Sequence, residues 1–154
     1  MNHSFFFFCT LLLVSQKAFS YKHQAIDSIL KNVEYVDNYD GDTITVNIPK
    51  LHPLLGRGIK IRIKGIDTAE IKGSRPCEKK IALYTKKFVK NLLTKARKIE
   101  IRNPSRGKYF RILADLWFDQ VNLKEILLEE NLAIPYNGKK KSDYNWCHYK
   151  LIKS

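Results

Sequence analysis

Acidic residues are in short supply in this chain: 15 Asp and Glu stand against 28 Lys and Arg, a formal charge of +13 over 154 residues. A balance this basic points to a polyanionic partner, nucleic acid first and an anionic membrane or glycan second; the alternative is solubility by charge alone. Cysteine is scarce too, with three residues and no Cys-x-x-Cys or neighbouring His pair, which excludes a zinc site. No apolar run is long enough to cross a bilayer: the one at residues 5–14 (FFFFCTLLLV) has ten residues, against roughly 20 needed. His52 and His148 fall in loops with no partner in reach, and no Ser-His-Asp order, Cys nucleophile or phosphate-cradling Gly loop is present. What the chain does not lack is a core, since 44% apolar and 12% aromatic residues exclude wholesale disorder and the length suits one domain.

The run at 5–14 fits the hydrophobic region of a secretory signal, and Ala18 and Ser20 supply the small residues for cleavage after Ser20. No Lys or Arg precedes the run, so a buried N-terminal strand or a membrane anchor is the other reading. Cleavage divides the chain into a signal peptide (1–20), an N-terminal extension (21–32), a folded domain (33–136) and a tail (137–154). The product, secreted or periplasmic, is a monomer of 134 residues without stable membrane insertion, its charge 27 − 15 = +12. Cys77 and Cys147 remain in it. An oxidising compartment favours a bridge between them over two free thiols.

Residues 34–37 and 43–48 are short β-rich runs, separated by a turn with Asp-Gly inside it, a hairpin signal. Residues 49–58 read as a loop. Residues 59–64 alternate, with Ile59, Ile61 and Ile63 inward and Lys60, Arg62 and Lys64 on the other face. Gly65 would place a bulge that re-aims Asp67. The spacing predicts a helix from Pro76 to Lys95, with Ile81, Tyr84, Phe88 and Leu92 as its buried stripe. Strands at 98–102 and 110–118 follow, joined by a turn at 103–107. A second helix over 121–130 would be capped by Asp119 and ended by a left-handed Asn131. After Pro135 an irregular tail is expected. Five strands with a helix after the third indicate an α+β fold, a five-stranded Greek-key β-barrel of the oligonucleotide-binding (OB-fold) type with two main helices.

Two acid clusters sit at strand ends, Asp40-Gly41-Asp42-Thr43 and Asp67-Thr68-Ala69-Glu70. Together they could supply the oxygen ligands that a hard cation such as Ca²⁺ needs; each could equally be an ordinary Asx turn. Arg62 and Arg111 begin or line strands nearby, suited either to a bidentate grip on phosphate or to a solvated strand face.

The order Asp-Gly-Asp-Thr (40–43), Arg-(x)₄-Asp-Thr-x-Glu (62–70), Lys-Tyr-x-Arg (108–111) and Leu-Ala-x-x-Tyr (132–136) resembles the staphylococcal-nuclease (thermonuclease) family over most of the exported chain. The resemblance implies the same barrel and a calcium-dependent nuclease that cuts DNA, RNA or both. Asp42 and Asp67 would hold Ca²⁺ by carboxylate and Thr68 by its backbone carbonyl, with Asp40 in support. Glu70 would orient or deprotonate the attacking water. Arg62 and Arg111 would clamp the phosphate, and Lys108, Tyr109 and Tyr136 would line the nucleotide site. Family members expel the 5′-oxygen and leave 3′-phosphate ends. Ala69 stands where the family usually has Pro, and Phe110 where it has Gly. Eighteen residues follow Tyr136, short for the family's last helix, and a Cys77–Cys147 bridge would take that helix's place.

Two other functions fit the composition. One is a non-catalytic OB-fold domain that binds single strands through aromatics and Lys. The other is a cationic membrane-active or disulfide-stapled interaction module, which would need an exposed apolar helix face.

Overall fold

The computed structural model describes residues 29–107, 111–139 and 144–148. The segment expected to be a signal peptide (1–20) and most of the 21–32 extension lie outside them. Among the described residues no helix is long and apolar enough to cross a membrane.

The described residues include, near their start, an antiparallel hairpin of β1 (Glu34–Asn38) and β2 (Thr43–Asn47). A connection containing the one-turn helix α1 (Pro53–Gly56) leads to β3 (Ile59–Ile63), antiparallel to β2. The segment expected to be loop thus carries a helical turn, with Pro at its start and the His52 side chain accepting the Leu54 N–H at 3.3 Å. Gly65 adopts φ +79° in a tight turn rather than a bulge. The chain then leaves the β3 line and starts β4 (Ile66–Thr68), which pairs with β8 (Ala133–Pro135) in a separate two-stranded sheet.

Helix α2 spans Pro76–Lys95, the bounds expected from the sequence. Its buried face is Ile81, Ala82, Thr85, Val89 and Leu93, rotated one position from the predicted stripe: Tyr84 is exposed, while Phe88 and Leu92 pack at the margin. The core ridge is the four-residue step through 81, 85, 89 and 93. Thr85 can occupy it because its hydroxyl donates to the Ile81 carbonyl at 2.9 Å, leaving only its methyl to pack.

Strand β5 (Ile99–Arg106) outruns its predicted end, absorbing Asn103 (φ +52°) at a register shift between Arg102 and Ser105. It pairs antiparallel with β6 (Ile112–Phe118), and β6 lies parallel to β3. Asp119 and Gln120, at φ +44° and +70°, form a two-residue hairpin turn into β7 (Val121–Asn122). Asp119 therefore caps no helix. Its carboxylate accepts the N–H groups of Arg97 and Lys98, and Asn122 caps the shorter helix α3 (Leu123–Glu129) through Lys124 N–H at 3.0 Å. Asn131 is left-handed as predicted, at φ +54°.

The main sheet runs β1-β2-β3-β6-β5, with β7 beside β6. These are the five predicted strands, and among the described residues no continuous ladder joins β1 to β5. The segment before β1 spans the gap instead. Leu30 and Ile101 exchange hydrogen bonds of 2.8 and 3.0 Å, and the Val33 N–H reaches the Ile99 carbonyl. Inside lie Ile44, Val46, Ile61, Ile63, Ile101 and Leu116, sealed by Val89 and Leu93 of α2 and by Leu123 and Leu127 of α3.

In the tail, residues 146–148 form a 3-10 turn. Trp146 is buried there against Ala69, Ile81 and Ala82. Cys77 and Cys147 form a disulfide, Cα atoms 5.3 Å apart, joining the first turn of α2 to this turn.

Candidate nuclease site

The β1–β2 turn is built to present carboxylates. Asp40 Oδ1 accepts the N–H groups of Asp42 (3.1 Å) and Thr43 (2.8 Å), an Asx arrangement that fixes the turn. Asn38 Nδ2 donates to the Asp40 carbonyl (2.7 Å) and to the Lys86 carbonyl (3.1 Å), tying the turn to α2. Tyr35 holds Asn38 in turn through its hydroxyl. Burial, then the nearby Asp37 charge, raise that phenol to about 12, so it stays a neutral donor. Gly41 is required by space: a Cβ there would lie 2.5 Å from Thr85 Cγ2 and 2.9 Å from Thr68 Cγ2. The missing side chain lets the turn sit directly on α2 and β4.

From that turn Asp42 reaches inward. Its Oδ2 accepts the Thr68 N–H at 3.0 Å, and its Oδ1 accepts the Thr43 hydroxyl at 3.3 Å and pairs with Arg62 Nη1. Arg62 Nη2 donates to Asp67 Oδ1 at 2.7 Å. One guanidinium thus joins two carboxylates that are 1% and 6% exposed, and their oxygens converge on it. Strand register explains the meeting: Arg62 lies opposite Thr43, and Asp67 follows five residues later, after the Gly65 turn.

Glu70 follows β4, two residues beyond Thr68, with buried Ala69 between them anchored under Trp146. Arg111 sits at the entry to β6, its carbonyl accepting the Gly107 N–H at 2.8 Å. Tyr136 enters from the end of β8, its N–H bonded to the Gly65 carbonyl at 2.9 Å. Asp40, Arg62, Glu70, Arg111 and Tyr136 line one open cavity of about 570 Å³, together with Tyr39, Thr43 and Lys60. Asp42, Asp67 and Thr68 are not among its lining residues; Arg62 links the two carboxylates to it, and Thr68 is tied to Asp42 by its N–H. Lys108 and Tyr109, and with them Phe110, fall outside the described residues.

Three lining residues were not singled out beforehand. Lys60 carried a usable signal, because it shares a strand face with Arg62 two positions away. Thr43 carries no signal beyond its place in the Asp-Gly-Asp-Thr motif. Nothing in the sequence marked Tyr39, whose ring meets Lys72 Nζ at 5.9 Å from its centroid.

Chemically, the cavity sets three cations, Lys60, Arg62 and Arg111, around a space that two carboxylates, Asp40 and Glu70, also reach. Guanidinium groups bind phosphate through paired N–H donors, and a carboxylate within reach of water can take its proton. For a metal, the available donors are oxygens only: the Asp42 and Asp67 carboxylates and backbone carbonyls. That set suits a hard divalent cation with water completing its shell. Among the described residues no group of three or more His, Cys, Asp or Glu could hold one without such help.

A comparison with curated proteins gave no match. The family described as staphylococcal nuclease homologue matches residues 60–152, more than half of the chain. The matched stretch carries Arg62, Asp67, Thr68, Glu70, Arg111 and Tyr136 and both cysteines of the bridge; Asp40 and Asp42 precede it. By this match, the chain belongs to the staphylococcal nuclease family.

Proposed function

We propose that the protein is an exported, monomeric, Ca²⁺-dependent nuclease that hydrolyses phosphodiester bonds of DNA, RNA or both. Family membership carries the coarser part, an oligonucleotide-binding fold and a nuclease-type or nucleic-acid-binding function. The observation that supports hydrolysis over binding alone is the convergence of Glu70 with Arg62 and Arg111 on one cavity.

In this reading the scissile phosphate sits between Arg62 and Arg111. A guanidinium has more N–H donors than Asp42 and Asp67 occupy, so Arg62 can grip a phosphate oxygen while the carboxylates steer it. Glu70 accepts a proton from a water in line with the bond to be cut. The water oxygen bonds to phosphorus, the bond to the 5′-oxygen breaks, and that oxygen leaves with a proton from solvent, giving a 3′-phosphate end. Negative charge grows on the equatorial oxygens, and the two arginines stabilise it where it forms. Tyr136, with Lys108 and Tyr109, holds the nucleotide. Asp42, Asp67 and the Thr68 carbonyl would hold Ca²⁺, with Asp40 bracing the turn; the ion would add further charge stabilisation. Export rests on the apolar run at 5–14 and agrees with the Cys77–Cys147 bridge, which belongs in an oxidising compartment.

The alternative is a non-catalytic nucleic-acid-binding domain. It is supported by the cationic lining of the cavity, Lys60, Arg62 and Arg111, which suits binding of a phosphate backbone whether or not it is cut. Incubating the purified protein with single-stranded DNA and with RNA separates the two. Cleavage with millimolar Ca²⁺ that stops on chelation supports the nuclease. Binding without cleavage under both conditions supports the alternative.

A further inference from the structure

The most exposed large apolar side chains among the described residues are Leu54 and Leu55, at 85% and 66% exposure. They are adjacent, and the turn that carries them is held from several sides. Pro53 starts it, His52 caps it, and the Gly56 carbonyl accepts the Ile48 N–H at 2.7 Å. A Cβ on Gly56 would lie 2.5 Å from the Ile48 carbonyl oxygen, so the turn presses directly on the end of β2. Two leucines in water on a fixed support lose the gain that burial would bring. Such a pair marks a binding surface rather than a packing residue.

The surface they edge is a cleft of about 630 Å³ between α1 and the β5–β6 hairpin. Ile59, Pro104 and Ile112 continue its apolar wall, and its cationic residues are Lys60, Arg106 and Arg111. No acid lines it among the described residues. Lys60 and Arg111 also line the phosphate cavity, so the two spaces share a wall. An apolar platform whose charged residues, among those described, are all cationic, continuous with a phosphate site, matches a nucleotide: a flat base with little charge, carried on an anionic backbone.

We propose that this cleft is a second nucleotide subsite, taking an unpaired base one step beyond the two that flank the scissile phosphate on an extended single strand. Leu54 and Leu55, with Ile59 and Ile112, cover the base, and Arg106 meets the following phosphate. The proposal rests on the nucleic-acid reading of the phosphate cavity and adds a preference for long, unpaired substrates over short ones.

The test uses the purified Glu70→Gln protein, so that binding is read without cleavage. Fluorescence anisotropy compares a labelled dinucleotide with a longer single-stranded oligonucleotide, in the presence of Ca²⁺. Adding Leu54→Ser and Leu55→Ser should weaken the longer strand roughly tenfold and leave the dinucleotide unchanged. Both side chains are exposed, so the fold should persist. Separately, Arg106→Ala should reduce the salt dependence of the longer strand alone. Equal effects on both ligands, or no effect on either, would overturn the subsite. If the Glu70→Gln parent binds neither ligand, the nucleic-acid reading fails first and the subsite falls with it.

Discussion

Removing the Cys77–Cys147 bridge should cost both stability and catalysis, and the two costs have different origins. The bridge spans 70 residues of sequence. Closing a loop of that length removes unfolded-state entropy worth roughly 4 kcal/mol in the chain-entropy model. At about 3 °C per kcal/mol for a chain of this size, the melting temperature should fall by roughly 10 °C in Cys77→Ser with Cys147→Ser. The catalytic cost follows from packing. Trp146 precedes Cys147 and is 4% exposed against Ala69, Ile81 and Ala82. Ala69 separates Thr68, which bonds Asp42, from Glu70. Loosening Trp146 therefore loosens the backbone that aims Glu70, and turnover should drop more than affinity for substrate. Thermal melts and steady-state kinetics with and without reductant measure both, and intact mass gives the oxidation state. Two titratable thiols in the non-reduced protein, or a melting temperature indifferent to reductant, would refute the reasoning.

Other substitutions probe the site's supports. Gly41→Ala forces a methyl onto Thr85 and Thr68 and should destabilise the protein by about 1–3 kcal/mol in a denaturant titration. Asp42→Asn should raise the Ca²⁺ concentration needed for half-maximal hydrolysis at least about tenfold, since one of two carboxylate ligands is lost. Glu100 supplies a pH signature. Hydrogen bonds from Lys98, then Arg102, hold its carboxyl below the ordinary value of 4.5 despite burial. A depressed folded value means stability that is complete above pH 4.5 and lost as pH falls through the lowered value. The stability difference between wild type and Glu100→Gln, followed by urea midpoints across that range, should shrink with acidification.

Strand alternation and the bounds of α2 were legible because they depend on local periodicity. Ile59, Ile61 and Ile63 point inward as their spacing demands, and α2 begins at its proline. What escaped depends on distant partners. Thr85 is core because a carbonyl four residues back satisfies its hydroxyl, so ranking by apolarity chose the neighbouring row of α2. Asp119 looked like a cap, but its carboxylate serves the start of β5 across the β6–β7 turn. Splitting β4 from β3 required the left-handed Gly65 and a pairing partner some 65 residues away. The site was legible as motifs, and its cavity does gather Asp40, Arg62, Glu70, Arg111 and Tyr136. The salt bridges that join Arg62 to Asp42 and Asp67 were not, because the β1–β2 turn, β3 and β4 build them together.

Glu70 carries the distinction between a nuclease and a binding domain, and its replacement by Gln changes a proton acceptor while keeping size and shape. Turnover of single-stranded DNA by wild type and Glu70→Gln should be compared at saturating Ca²⁺ and substrate, with melting curves and substrate affinity measured alongside. A loss of at least about 10²-fold in turnover, with fold and affinity retained, is the predicted result. Turnover near wild type in Glu70→Gln would contradict the assignment and remove the carboxylate from the reaction.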